Sequence, residues 1–142
     1  MRPMARTREA YASEAGMATS APTPQRIVAI VDDDPGMQVS LSDLLRARGF
    51  ATSVFSSAED WLERGASVGA DCMLVDIYLG GISGIELQRR LRAAGSTIPV
   101  IFMTARYDEA TRSQALEAGG ISLLCKPFPA AQLIAAIETA TT

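Results

Sequence analysis

Five short apolar runs recur along this chain, and a stretch of helical character follows each of them. The runs are Arg26–Val31, Phe50–Ser56, Cys72–Ile77, Ile98–Met103 and Ile121–Cys125. Within them apolar residues stand next to one another, whereas a strand with one solvent-exposed face would alternate apolar and polar residues. Continuous apolar strands are typical of a parallel sheet that helices cover on both faces.

The segments between these runs carry helix start and stop signals. Pro35 suits the first turn of a helix and Gly49 suits its end, because proline fits the first helical position and glycine adopts the conformation that ends helices. The other predicted helices are Ser57–Arg64, Ile85–Ala94, Asp108–Ala118 and Pro129–Ala140. Right-handed crossovers leave few arrangements for such a chain. We therefore predict an α/β fold, a doubly wound five-stranded parallel sheet in the flavodoxin-like order 2-1-3-4-5.

Composition limits what such a domain can do. The chain has 142 residues, of which 48% are hydrophobic and 20% charged, and its net charge is −3. These values suit one globular domain, and no apolar run approaches the roughly 18 residues that a membrane helix needs. The negative charge argues against a nucleic-acid groove that works through bulk positive charge. Because the chain contains no histidine, it has no catalytic triad, imidazole metal site or phosphohistidine of its own.

The first part of the chain differs from the rest. Residues 1–25 lack periodicity and are rich in small and polar residues, so we predict a disordered N-terminal extension before one domain over residues 26–142. Translation could start at Met1 or at Met17. The two cysteines, Cys72 and Cys125, lie in apolar runs, and we predict two buried, reduced thiols.

Polar residues stand at the ends of four predicted strands. Asp32 and Asp33 follow the first strand, Asp76 lies at the end of the third, Thr104 follows the fourth and Lys126, the only lysine, follows the fifth. The carboxyl ends of parallel strands meet at one edge of a sheet, so we expect these residues to lie together. Close carboxylates repel unless a cation neutralises them, and oxygen ligands suit Mg²⁺. A carboxylate can also accept a phosphoryl group, which predicts Mg²⁺-dependent phosphoryl transfer to an aspartate.

Five motifs occur in a fixed order over residues 26–142. They are Val31-Asp32-Asp33-Asp34-Pro35, Val75-Asp76, Gly84-Ile85-Glu86-Leu87, Pro99-Val100-Ile101-Phe102-Met103-Thr104-Ala105 and Lys126-Pro127-Phe128. Each motif is weak alone, but the set resembles the receiver domain of two-component response regulators, which is CheY-like. The resemblance implies a cytoplasmic phosphoacceptor protein rather than an enzyme, with autophosphorylation and autodephosphorylation chemistry of its own. We expect no output domain in this chain, which is either a stand-alone receiver or a fragment of a longer regulator.

The resemblance also implies a role for each acidic residue. Asp76 would accept the phosphoryl group. Asp33 would bind Mg²⁺ directly and Asp32 more indirectly, through water. Asp76 and the backbone carbonyl of Tyr78 would complete the protein ligands of the ion.

Two further residues and several partners follow from the same resemblance. Thr104 would hydrogen-bond the phosphoryl group and change position when that group arrives. Lys126 would pair with the phosphoryl group, and the Lys126–Pro127 peptide bond would be cis. The phosphoryl donor would be a sensor histidine kinase or a phosphotransfer protein. The phosphorylated domain would act on a downstream protein or on an output domain in trans. We expect no direct contact with nucleic acid or membrane. Alanines of the last helix that cannot all face inward suggest a homodimer through helix 4, strand 5 and helix 5.

Some positions depart from the family pattern. Gly80 stands where proline is usual, which predicts a more mobile loop, and Leu123 stands where an aromatic residue is usual, which predicts a different output movement. Tyr78 and Arg106 flank the expected path of attacking water. We predict that Tyr78 slows self-dephosphorylation, and the alternative is that both side chains point into solvent.

Two other functions remain as alternatives. The first is a degenerate receiver that acts only as a binding module, against which the intact set of acids, threonine and lysine argues. The second, less favoured, is a phosphatase of the haloacid-dehalogenase type, since Asp32-x-Asp34 mimics the D-x-D motif of those enzymes. Their nucleophile follows the first strand and an acidic pair follows their lysine, whereas Pro127-Phe128-Pro129 stands here.

Overall fold

The five strands form one parallel sheet in the predicted order, 2-1-3-4-5. The computed structural model describes residues 25–142. The strands are β1 (Ile27–Val31), β2 (Ala51–Phe55), β3 (Cys72–Asp76), β4 (Val100–Thr104) and β5 (Ser122–Cys125). The helices are α1 (Pro35–Ala47), α2 (Ala58–Arg64), α3 (Gly84–Ala93), α4 (Glu109–Glu117) and α5 (Ala130–Thr141), with a short 3₁₀ helix over Ala66–Val68. The predicted doubly wound α/β fold is confirmed.

Helices cover both faces of the sheet, and all residues of β3 and β4 are buried. On one face Val75 belongs to the same apolar cluster as Trp61 of α2. On the other face Leu74 belongs to a cluster with Leu45 of α1 and Leu133 of α5. Consecutive residues of the central strands therefore enter opposite layers that are both apolar, which explains why β1, β3 and β4 are nearly continuous apolar runs.

Polar caps start four of the helices close behind the strand ends. Asp34 and Asp108 cap α1 and α4, and Ser57 and Ser83 cap α2 and α3, each with a side-chain oxygen that accepts a backbone N–H of the first turn. A cap of this kind contributes about 1 kcal/mol to stability. The caps hold the loops at the carboxyl ends of the strands in place.

The boundaries of some elements differ from the predicted ones. β4 begins at Val100 and not at Ile98, because Pro99 has no N–H to donate to a neighbouring strand. α3 begins at Gly84, one residue early, because Ser83 supplies its N-cap. The 3₁₀ helix was not predicted. The predicted disordered extension lies outside the described residues except for Gln25, whose side chain donates to the carbonyl of Gly49.

The prediction of two buried thiols is right for one cysteine and wrong for the other. Cys72 is buried in β3, and burial raises the pKa of its thiol to about 12. Cys125 is exposed. It ends β5, an edge strand that has a neighbour on one side alone, so an apolar run does not guarantee burial there.

Residues 25–142 include no helix with both the length and the apolar character that crossing a membrane requires.

Candidate functional site

Polar side chains from four strand ends meet at one edge of the sheet, which we call the carboxyl edge. Asp32 directly follows β1, Asp76 ends β3, Thr104 ends β4 and Lys126 directly follows β5. Because β3 pairs with β1, the acids behind β1 lie beside the end of β3. One carboxylate oxygen from each of Asp32, Asp33 and Asp76 lies within 4.8 Å of the others.

Lys126 bridges two of these three acids. Its Nζ atom donates to the Oδ2 atom of Asp32 at 2.8 Å and to the Oδ2 atom of Asp76 at 3.0 Å. The lysine side chain is 14% exposed. Its backbone N–H donates to the carbonyl of Thr104 at 2.7 Å, and the following bond to Pro127 is cis, as predicted. The Lys126 backbone is therefore fixed to the end of β4, and its ammonium group lies against two of the three acids.

The three acids differ in their access to solvent. Asp32 is fully buried, and its Oδ1 atom accepts the backbone N–H of Asp34 at 2.9 Å. The side chain of Asp76 is 12% exposed, and its Oδ1 atom accepts the backbone N–H of Tyr78 at 3.0 Å. Asp33 is exposed. A ligand from solvent can therefore reach the exposed carboxylate of Asp33 and the small exposed part of Asp76. Asp32 is accessible only from within the protein, where it binds Lys126.

The electrostatics of the cluster favour a further cation. Burial raises the pKa of Asp76 above its usual value, and the charge of Asp32 adds to that effect, while Lys126 opposes it without cancelling it. Burial alone would lower the pKa of Lys126, but its hydrogen bonds and charge interactions with Asp32 and Asp76 outweigh burial and raise it. The lysine therefore stays protonated at neutral pH, and the repulsion that remains between carboxylates is relieved when a second cation binds.

The donor set fits a hard divalent cation such as Mg²⁺, which prefers carboxylate and carbonyl oxygens and keeps several waters. Asp32, Asp33 and Asp76 supply the carboxylates. Within residues 25–142, the carbonyl oxygen of Tyr78 accepts no hydrogen bond, so it is free to act as a ligand.

Thr104 is buried at the carboxyl edge, but its hydroxyl is not bonded to the acids. It donates to the carbonyl of Arg106 at 3.0 Å and accepts the backbone N–H of the same residue at 3.0 Å. This pair of bonds closes a tight turn after β4. A role of Thr104 toward a phosphoryl group would require the hydroxyl to leave that turn.

Tyr78 contacts two residues on the far side of the site. Its hydroxyl lies 3.3 Å from the Oγ1 atom of Thr111 in α4, and the guanidinium carbon of Arg106 lies 5.2 Å from the centre of its ring. As a whole residue Tyr78 is 44% exposed. Tyr78 and Arg106 therefore contact each other at the rim of the site, whereas the sequence offered no signal for Thr111.

A second residue that the sequence did not single out is Glu59. Its Oε2 atom accepts the backbone N–H of Ile82 at 3.0 Å, in the loop between β3 and α3. In the sequence Glu59 belongs to the start signal of α2, where Ser57 and Asp60 form the cap. A capping pattern already accounts for a charged residue near a helix start, so the sequence gives no sign that Glu59 contacts the loop between β3 and α3.

Comparisons with known proteins agree with this geometry. A family model described as response regulator receiver domain matches residues 28–138. The response regulator protein TmoT of Ectopseudomonas mendocina is 34% identical over 116 residues, which cover 82% of this chain and 53% of that protein. The transcriptional regulatory protein FixJ of Azorhizobium caulinodans is 36% identical over 111 residues, which cover 78% of this chain and 53% of that protein. The chain thus spans about half the length of these curated relatives.

A solved structure shows the same likeness in three dimensions. The crystal structure of FixJ-N matches with a TM-score of 0.78 and 33% sequence identity, covering 84% of this chain and 95% of that one. The sheet order, the position of the acids and the matching family model point to the same conclusion. This chain belongs to the response regulator receiver domains, the signalling domains of two-component systems.

Proposed function

We propose that Asp76 accepts a phosphoryl group from a phosphohistidine of a sensor histidine kinase or a phosphotransfer protein, in a Mg²⁺-dependent reaction. Receiver domains of this family are signalling proteins rather than enzymes in the usual sense. In this proposal the Asp76 side chain is a covalent acceptor, and the domain supplies the chemistry for its own phosphorylation and dephosphorylation.

The reaction makes and breaks one bond at phosphorus. A carboxylate oxygen of Asp76 forms the new P–O bond while the P–N bond of the phosphohistidine breaks, and the bonding electron pair stays with the imidazole nitrogen. Asp33, Asp76 and the carbonyl of Tyr78 would hold Mg²⁺, with Asp32 acting through water, and the ion would supply positive charge that offsets the phosphoryl oxygens. Lys126 exchanges one of its two carboxylate contacts for a phosphoryl oxygen, and Asp32 keeps the ammonium in place.

The observation that carries the proposal is the position of Lys126 between Asp32 and Asp76. Its contacts of 2.8 Å to Asp32 and 3.0 Å to Asp76 keep an ammonium group against the Asp76 carboxylate, which supports this proposal. A phosphoryl group on Asp76 would therefore meet a cation already in place, and such preorganised charge supplies most of the catalysis in phosphoryl transfer.

The test uses acetyl phosphate, a small acyl phosphate that needs no kinase. With Mg²⁺ present, the purified protein should gain the mass of one phosphoryl group, and Asp76→Asn should abolish the gain. Asp34→Asn is the matched control, because Asp34 neighbours the cluster but caps α1, and asparagine caps helices as well as aspartate does. A receiver that only binds partners would show no mass gain, and turnover of a phosphate ester dependent on Asp32 would indicate the phosphatase alternative.

The output of the signal is a further part of the proposal. We infer that phosphorylation changes the affinity of this domain for a downstream protein or an output domain in trans, and that the protein acts in the cytoplasm. The surface of α4, β5 and α5 supports a homodimer as one such change, since Leu116 and Ile121 expose 39% and 48% of their surface there. Ala131 and Ala135 of α5 are exposed as well.

A further inference from the structure

The loop between β3 and α3 is held by three carboxylates in succession. Every second backbone N–H of the loop donates to a different acid, and the pairs are Tyr78 with Asp76 at 3.0 Å, Gly80 with Asp33 at 3.4 Å, and Ile82 with Glu59 at 3.0 Å. The loop is closed behind them, because the N–H of Gly84 donates to the carbonyl of Ile77 at 2.9 Å.

Two of these three anchors belong to the proposed metal site. Asp76 and Asp33 would turn their oxygens to Mg²⁺ and to the phosphoryl group, and the contact between Asp33 and Gly80 is already long at 3.4 Å. Glu59 lies on α2 and is not a member of the cluster of three carboxylates. Its contact to the loop can therefore persist through binding of the ion and phosphorylation.

The loop needs such an anchor because it contains two consecutive glycines. Gly81 has a positive φ of 81°, and glycine loses more conformational freedom on ordering than any other residue. The approach of Glu59 also depends on that glycine, since a Cβ atom at position 81 would lie 2.5 Å from the Oε2 atom of Glu59. The absence of a side chain at Gly81 lets the carboxylate reach the N–H of Ile82.

Glu59 is also charged when it makes this bond. The backbone N–H of Ile82 is the main cause that lowers the pKa of Glu59 below its usual value, and Arg90 adds to the effect. A hydrogen bond to an ionised acceptor is stronger than one between neutral groups.

We propose that Glu59 is a positioning residue of the metal site, which holds the loop so that the carbonyl of Tyr78 stays available to Mg²⁺ when Asp33 and Asp76 turn to the ion. This inference rests on the proposed function, because it concerns the same ion. Glu59 touches neither the ion nor the phosphoryl group in this scheme. It acts through the backbone of residues 78–82.

The experiment compares four proteins by calorimetric titration with Mg²⁺ in the absence of any phosphoryl donor. Glu59→Ala removes the acceptor, and Glu59→Gln keeps an acceptor oxygen without the charge. Glu63→Ala changes another exposed glutamate of α2, whose side chain makes no hydrogen bond within the described part of the chain. We expect Glu59→Ala to weaken Mg²⁺ binding about tenfold, the lower end for outer partners of metal ligands. Glu59→Gln should recover most of the affinity, and Glu63→Ala should match the wild type.

A second readout separates the positioning role from loss of fold. Amide hydrogen exchange should accelerate over residues 78–82 in Glu59→Ala, while the melting temperature without Mg²⁺ stays close to that of the wild type. Wild-type Mg²⁺ affinity in Glu59→Ala would overturn the role of Glu59 and leave the proposed function intact. A wild-type protein that binds no Mg²⁺ would overturn the proposed function itself, and with it this inference.

Discussion

The Nζ atom of Lys126 lies 2.8 Å from the Oδ2 atom of Asp32, a carboxylate without exposed surface. These two residues are 94 positions apart in the chain, so the contact joins the end of β1 to the end of β5 across the sheet. A buried carboxylate needs a partner, because an unpaired charge in the interior is strongly destabilising. Lys126 therefore stabilises the folded domain through Asp32, a role separate from the one proposed for it toward a phosphoryl group.

The structural part of this role can be measured with Lys126→Met, which keeps an apolar stem and removes the ammonium. Without Mg²⁺ we expect the free energy of unfolding to fall by about 3–5 kcal/mol, because the buried Asp32 carboxylate and the nearly buried Asp76 carboxylate lose their charged partner. Urea denaturation gives this value directly. Added Mg²⁺ should restore part of the loss, since it neutralises the same acids and binds only the folded state. If Lys126→Met lost the same free energy of unfolding at every Mg²⁺ concentration, Lys126 and Mg²⁺ would not be neutralising the same carboxylates.

The raised pKa of Asp76 predicts how stability depends on pH. A carboxyl group whose pKa is higher in the folded state stabilises the fold below its unfolded pKa of about 3.9 and loses that contribution as pH rises. Asp76→Asn cannot ionise, so it should unfold at a higher urea concentration than the wild type at pH 7. The difference should vanish as pH falls below about 4. A lower midpoint for Asp76→Asn at pH 7 would contradict the crowding of carboxylates in the site.

The exposed position of Asp33 predicts a change in metal binding without a change in fold. Asp33→Ala should weaken Mg²⁺ binding by at least the 10–100-fold that loss of an outer partner costs, because a direct ligand is removed. Calorimetric titration measures this effect, and Asp34→Asn serves as the neighbouring control, because it keeps the N-cap of α1. Similar Mg²⁺ affinities for the two variants would argue against direct ligation by Asp33.

The contacts of Tyr78 predict its effect on the lifetime of the phosphorylated state. Its ring packs against Arg106 and its hydroxyl reaches Thr111, so we expect the ring to hinder the water that attacks the acyl phosphate. Tyr78→Ala should lose the phosphoryl group several-fold faster than the wild type. Tyr78→Phe should give an intermediate rate, since it keeps the ring and loses the contact to Thr111. Equal decay rates of the label in the wild type and Tyr78→Ala would remove this role.

The exposed apolar residues Leu116 of α4 and Ile121, directly before β5, predict a change in association. With beryllium fluoride as a mimic of the acyl phosphate, we expect the protein to elute from gel filtration as a dimer. Without beryllium fluoride we expect it to elute as a monomer. Ile121→Glu should prevent the shift, because it places a charge on the exposed surface next to β5. A monomer under both conditions would count against dimerisation driven by phosphorylation.

Local patterns were sufficient to predict the fold and the membership of the acidic cluster. Continuous apolar runs indicate strands of a covered parallel sheet, and the residue behind each strand belongs to the carboxyl edge whatever the details of packing. The sequence therefore predicts that Asp32, Asp33, Asp76 and Lys126 lie together. In the structure one oxygen of each acid lies within 4.8 Å of the others, and Lys126 contacts Asp32 and Asp76. Several predicted element ends are wrong by one or two residues, and at two of them, Pro99 and Ser83, backbone chemistry explains the shift.

Contacts between side chains and distant loops could not be read from these patterns. The bond from Glu59 to Ile82 joins residues 23 positions apart, and the contact of Tyr78 with Thr111 spans 33. The turn that occupies the hydroxyl of Thr104 and the exposure of Cys125 likewise depend on where a loop or an edge strand lies. Residue type and spacing determine which helix or strand forms. The hydrogen-bond partner of a polar side chain depends instead on how helices and loops pack over the sheet, because that packing decides which donor lies within about 3 Å of which acceptor.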